Sequence, residues 1–159
     1  MISSPFKLSM YLDMDAKPCS GQGISNLFSD MFLSAATVGA VQLRAKNQCH
    51  RCKEEFPPGL SHTEKMKFNR FPEYNTGVVI VDTRRALPFL HTWASAIKRT
   101  IRRVGRDQHG FREALFLHRR EVKVHSFTND QVCRFGWPKK YCEHGCDISH
   151  HGINFTKPP

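Results

Sequence analysis

The most constraining stretch of this chain is Val78-Val79-Ile80-Val81, four β-branched residues with no polar residue between them. Branching at Cβ favours the pleated backbone, and an unbroken apolar run has no face to offer to water. Such a strand is covered on both sides, which calls for a sheet layered between helices, an α/β fold. Pro72 precedes the run, and Asn75-Thr76-Gly77 stands immediately ahead of it. An amide and a residue without Cβ at the start of a strand mark a bend where backbone passes close to something. Either the bend is structural, or it serves a ligand through the Asn75 amide, which both donates and accepts.

A covered strand needs neighbours. Leu8 to Leu12 is another apolar run, and it ends at Asp13-Met14-Asp15. On continued extended backbone, residues i and i+2 point the same way, so Asp13 and Asp15 are expected on one face at the strand's carboxyl end. Two hard oxygen ligands there suit a divalent cation, and that cation neutralises a diphosphate. The blander alternative is a strand ending in a turn, where Asp is frequent because its side chain bonds nearby backbone.

The layers come from apolar residues at helical spacing. Ala16 to Gly23 has a loop composition, and Ile24, Leu27, Phe28, Met31 and Phe32 then predict a helix starting near Ser25 or Asn26. Ala40 to Leu43 predicts a short strand, and Gly59 to Arg70 reads as a polar, mobile connection. After the capping stretch Asp82 to Ala86, the stripe Leu87, Leu90, Trp93, Ala94, Ile97, Ile101 and Val104 predicts a long helix ended by Gly105. Trp93 and His91 need only core and surface roles. Asp107-Gln108 opens a further helix, where Asp107 is a favoured N-cap or turns its carboxylate to a ligand. Val122 to Val124 reads as a strand, and the remainder from Asn129 is rich in Cys, Gly, Lys and His.

At 159 residues, 40% of them hydrophobic and 12 of them Phe, the chain is one folded domain rather than a disordered tail. No run approaches the ~20 apolar residues of a membrane span, and Met1 is not followed by a signal-peptide pattern. The formal charge of +10 gathers partly in Lys98 to Arg103 and Arg106. That balance fits a nucleic-acid surface, a membrane surface or a diphosphate substrate, while most such charges simply solvate helix faces. Six cysteines, Cys19, Cys49, Cys52, Cys133, Cys142 and Cys146, form an even set in loop-like stretches and favour disulfides. The sequon Asn154-Phe155-Thr156 agrees with an oxidising compartment. A zinc site built from Cys49, Cys52, Cys142 and Cys146 is the alternative, with His144 a structural residue among them.

Four stretches taken in order carry a resemblance. They are the strand into Asp13-Met14-Asp15, the strand Asn75-Thr76-Gly77 to Asp82, the helix opening Asp107-Gln108, and the late Ile148-Ser149-His150-His151-Gly152 with Lys157. Together, from Ser4 to about Lys157, they resemble the nucleotide-diphospho-sugar transferases, glycosyltransferases of the GT-A fold. The resemblance implies a Rossmann-like mixed sheet flanked by helices. It also implies Mn²⁺ or Mg²⁺ held by Asp13 and Asp15 with His150 or His151 as a third ligand. Asn75, Gly77, Asp107 and Gln108 would contact the sugar, with Asp107 the catalytic candidate, and Lys157 would meet a phosphate oxygen. In the family's ending His, Gly and Lys are regularly spaced, whereas here Gly152 follows the His pair directly and Lys157 lies five residues on.

The implied function is metal-dependent transfer of a sugar, with retention, from a nucleotide-diphosphate donor to a glycan, protein or lipid acceptor in the secretory pathway (the Golgi lumen), with the cytoplasm as the alternative. A nucleic-acid partner is not implied, and membrane contact is expected only through a segment outside this chain. The family also carries a βαβ nucleotide-binding half ahead of the Asp-x-Asp strand, and only twelve residues precede Asp13. Residues 1–159 are therefore expected to form a partial domain with an open sheet edge. Two rivals stand beside this reading: a fold kept for interaction without activity, and a basic nucleic-acid module on Lys98 to Arg106 stapled by zinc.

Overall fold

All nine residues of the strand Tyr74–Asp82 are buried, as its unbroken apolar run requires. The computed structural model describes residues 1–43, 56–104, 107–128, 130–135, 142 and 146–151, with backbone alone for 100–104, 134–135 and 150–151. In chain order the elements are β1 (Leu8–Leu12), β2 (Ala16–Pro18), α1 (Gly21–Leu33), β3 (Val38–Gln42), α2 (His62–Arg70), β4 (Tyr74–Asp82), α3 (Leu87–Val104), α4 (Gln108–Leu117), β5 (Val124–Phe127), β6 (Val132–Phe135) and β7 (Ile148–His151). A four-stranded mixed sheet runs β1-β4-β3-β5, and a smaller one runs β2-β7-β6. β4 is antiparallel to β1 and to β3, while β3 and β5 are parallel.

Alternation along β4 sorts the core into two. Val79 and Val81 face Phe89, Leu90 and Trp93 of α3 and Phe111, Ala114 and Leu115 of α4. Val78 and Ile80 face the other way, onto Leu27 and Met31 of α1 and onto Val132 and Ile148 of the small sheet. This is the expected α/β arrangement, a mixed sheet between helices. Each such fully buried Val, Ile, Leu or Phe contributes about 1.5–3 kcal/mol, which makes β4 the strand the layers depend on.

Several local expectations shift, each for a visible reason. α1 begins at Gly21 rather than near Ser25, because Ser20 accepts the Gly23 N–H at 2.9 Å and caps the helix earlier. Residues 62–70 are a helix, not a mobile connection, because Ser61 and Glu64 form a reciprocal capping box. Arg112, buried in α4, donates to the carbonyls of Phe68, Asn69 and Phe71 and so closes the carboxyl end of that helix. The last strand of the large sheet is Val124–Phe127, beginning where Val122 to Val124 was expected to end.

The Cys- and His-rich tail supplies β6 and β7. Two disulfides tie them in: Cys133 to Cys146, and Cys19, just past β2, to Cys142, with Cα separations of 5.8 and 5.3 Å. Both Cys142 and Cys146 are thereby oxidised to other partners, so the zinc site proposed for them with Cys49 and Cys52 does not form. Cys49, Cys52, Gly105, Arg106, His144, Gly152, Asn154 and Lys157 lie outside the described residues.

α3 and α4 approach closely at Gly110. A Cβ there would stand 3.0 Å from the Ile97 nitrogen and 3.2 Å from the Ala96 carbonyl carbon, both backbone atoms that cannot swing aside. Gly110→Ala gains helix propensity of about 1 kcal/mol but meets overpacking of about 1–3 kcal/mol. A lower melting temperature than wild type is therefore expected in calorimetry. An unchanged or higher one would show that the two helices do not pack this closely.

Candidate functional site

Strand β1 ends at Leu12, and the chain turns at once: the Ala16 N–H donates to the Asp13 carbonyl at 2.9 Å. Asp13 and Asp15 are thus not on extended backbone, and the i, i+2 argument for their shared face fails. The turn nevertheless sorts them. Met14 between them is fully exposed, while both aspartates are half-buried.

Both point their charge at Tyr11. Its hydroxyl donates to Asp13 Oδ1 at 2.7 Å. The phenol is pushed well above its usual range, by partial burial first, then by that bond and by the charges of Asp13, Asp107 and Asp15. Three carboxylates from two distant parts of the chain therefore act on one hydroxyl. Tyr11 was not singled out from the sequence, although its i, i+2 relation to Asp13 was there to be read.

The bend expected at Asn75-Thr76-Gly77 is present. β3 pairs Ala40 with Val79 but its next residue, Val41, with Asn75, so Thr76, Gly77 and Val78 bulge out of that ladder. Asn75 Oδ1 accepts the Gly77 N–H at 2.9 Å, holding the bulge from within. On the other side, the Gly77 carbonyl accepts the Asp13 N–H at 2.9 Å, fastening the carboxylate turn to the bulge. Asn75 itself is buried, at 6% exposure, and its carbonyl oxygen is committed to this internal bond.

Asp107 stands at the N-cap position of α4 and its carbonyl accepts the Phe111 N–H at 3.1 Å, but its carboxylate makes no capping bond and accepts instead from Thr76 Oγ1 at 3.1 Å. Burial pushes its carboxyl above the usual carboxylate range, the Thr76 bond opposes that, and the Asp13 charge adds to it. Gln108 turns inward, its Nε2 donating to Glu73 Oε1 at 2.7 Å, which anchors the start of α4 on the segment leading into β4. Beside Tyr11 and Asp107 opens a cavity of about 380 Å³, walled by Leu90, Trp93, Ala94 and Ile97. It is apolar along α3 and acidic at one end.

The late histidines reach the same end of the molecule by strand pairing. β7 runs antiparallel to β2 with His150 opposite Ala16, the residue after Asp15. Their side chains lie outside what is described, as does Lys157. Among the described residues no group of three or more His, Cys, Asp or Glu is placed to hold a metal ion. No described helix is long and apolar enough to cross a membrane.

The fold and this site define a mixed α/β protein with a carboxylate cluster where β1, the β4 bulge and α4 meet. No protein-family model matches the chain, and no curated protein matches it. Among solved structures, the apo form of mouse xyloside xylosyltransferase 1 aligns with a TM-score of 0.47 at 17% identity, covering 97% of this chain and 60% of that one. The chain thus spans 60% of the length of that structure.

The raised Asp107 carboxyl has a consequence for stability. A carboxyl whose folded pKa exceeds its unfolded value binds more protons when folded, so its contribution falls as pH rises from the ordinary carboxylate range through the folded value. Asp107→Asn keeps an acceptor for Thr76 and removes the charge. Its melting temperature at pH 7 should equal or exceed that of wild type, with the difference closing in acid, where Asp107 is also neutral. A variant less stable than wild type at pH 7 would show that the charge stabilises the fold.

Proposed function

We propose that this chain is the metal- and sugar-binding portion of a glycosyltransferase acting on a nucleoside-diphosphate sugar in the secretory pathway. One observation carries the reading: three motifs far apart in sequence meet at one place. Asp13 is bonded through its backbone to Gly77, and Asp107 through its side chain to Thr76. A fold that needed these residues only for caps and turns has no reason to gather three acids around one tyrosine hydroxyl. Such gathering is characteristic of functional sites.

A divalent cation fits this donor set. Asp13 and Asp15 are half-buried hard oxygen ligands, and their charges, with that of Asp107, add to the partial burial that raises the Tyr11 hydroxyl. Asp13 and Asp15 would hold Mn²⁺ or Mg²⁺, with His150 or His151 as a further ligand from β7. The bound cation would neutralise the diphosphate leaving group. Lys157 is assigned to a phosphate oxygen.

The remaining residues orient the sugar. Asp107, whose carboxylate makes no capping bond, turns it to sugar hydroxyls. The Asn75-Thr76-Gly77 bulge brings backbone close to the donor, with the Asn75 nitrogen as its side-chain donor. Gln108 acts through Glu73, setting the start of α4 and hence Asp107, as well as offering its own carbonyl. The resemblance favours retention of configuration, and a glycan, protein or lipid is the acceptor.

Release of nucleoside diphosphate from a panel of nucleotide sugars, with Mn²⁺ present and in protein that also carries the nucleotide-binding half the resemblance implies, tests the proposal. Asp15→Asn should abolish turnover, because a neutral amide is a poorer cation ligand. Asp107→Asn should keep its fold yet lower kcat/KM roughly ten- to a hundredfold, the size of a lost charge-assisted hydrogen bond. Turnover undiminished by EDTA, or by Asp15→Asn, would contradict the assignment.

A further inference from the structure

The end of the large sheet opposite the carboxylate cluster carries a different surface. There β1 begins, β4 ends, and α1 hands over to β3: the Thr83 N–H donates to the Lys7 carbonyl and the Asp82 N–H to the Thr37 carbonyl, each at 2.9 Å. Three large apolar side chains project from this end, Phe6 at 70%, Phe32 at 67% and Leu33 at 80% exposure. Phe6 stands just before β1, and the other two are on the last turn of α1. Three exposed cations surround them. Lys7 Nζ lies 5.5 Å from the centre of the Phe32 ring, Arg85 donates to the Ala35 carbonyl at 3.1 Å, and Lys123 Nζ to the Ser34 carbonyl at 2.7 Å. A hollow of about 230 Å³ lined by Lys7, Phe32, Ala35 and Arg85 links two of these cations to Phe32.

We propose that this patch docks on an anionic lipid surface, with Phe32 and Leu33 entering the headgroup boundary and Lys7, Arg85 and Lys123 pairing with lipid phosphates. Apolar tips that project gain little from a flat protein partner but are removed from water by sinking into a bilayer. Long basic side chains around them reach headgroup charge while their stems cover apolar surface. The chain's formal charge of +10 adds long-range attraction to the same surface. Asp82 is buried and accepts the Arg85 N–H, and Glu121, the exposed acid two residues before Lys123, is paired with His118. This goes past the sequence expectation, which assigned membrane contact to a segment outside the chain. It also stands apart from the proposed function, since docking here leaves the carboxylate cluster at the far end of β1 facing away from the lipid.

Sedimentation of the protein with two kinds of vesicle tests it, phosphatidylcholine alone and phosphatidylcholine with about a third phosphatidylserine. Wild type should partition onto the anionic vesicles and about tenfold less onto the neutral ones. Phe32→Ser/Leu33→Ser and, separately, Lys7→Glu/Lys123→Glu should each lower partitioning by about tenfold or more, with unchanged circular dichroism. Leu33→Ser alone replaces the first pair if that pair does not fold. Absence of vesicle binding overturns the proposal, as does wild-type binding by the apolar variant. Self-association in place of vesicle binding, lost in the same variant, would assign the patch to a second copy and overturn it too.

Discussion

The bulge in β4 is the constraint on which the rest of the structure depends. A strand buried on both faces has no solvent side on which to hide an irregularity, so the break in its ladder falls at one end, between Asn75 and Val78. Asn75 holds the bulge through the Gly77 N–H, which leaves the Gly77 carbonyl for Asp13 and the Thr76 hydroxyl for Asp107. Strand β1 and helix α4 are thus both fixed by three consecutive residues. The carboxylate cluster is a consequence of how the central strand begins.

That arrangement works against stability locally. Placing Asp107 partly out of water beside Asp13 raises its carboxyl, and partial burial, the Asp13 bond and the same charges raise the Tyr11 hydroxyl. Caps and turns need no such cost, since an Asp at an N-cap is ordinarily stabilised by its amides. Two buried charges elsewhere are paired: Arg112 donates to three carbonyls ending α2, and Glu113, buried in α4, pairs with Arg99. Asp107, by contrast, has the Asp13 charge beside it.

Much of the fold was legible because it rests on periodicity. The run Val78 to Val81, the stripe from Leu87 to Val104 and the apolar side of α4 each specify their element without tertiary help. The helix at 62–70 was legible in principle, since Ser61 and Glu64 spell a capping box, but its charged composition reads as a loop. The small sheet was not legible: β2 and β7 are short, and disulfides whose pairing no spacing reveals hold the region together. At the carboxylate cluster the local geometry was not readable. Asp13 and Asp15 share a turn rather than a strand face, and the Asp107 carboxylate bonds across to Thr76 instead of along its own helix, because both depend on a register shift with no local signature.

The central claim is that the turn Asp13 to Asp15, the bulge at Asn75 to Gly77 and the start of α4 form one cation-binding site. Titrating Mn²⁺ into the isotopically labelled protein and recording amide resonances tests this most directly, since a paramagnetic ion broadens signals steeply with distance. The account predicts early loss of the resonances of Tyr11, Asp13, Asp15, Thr76, Gly77 and Asp107, while those of Lys7, Ala35 and Arg85 at the opposite end persist. Uniform broadening, or first loss at another set of residues, would contradict it.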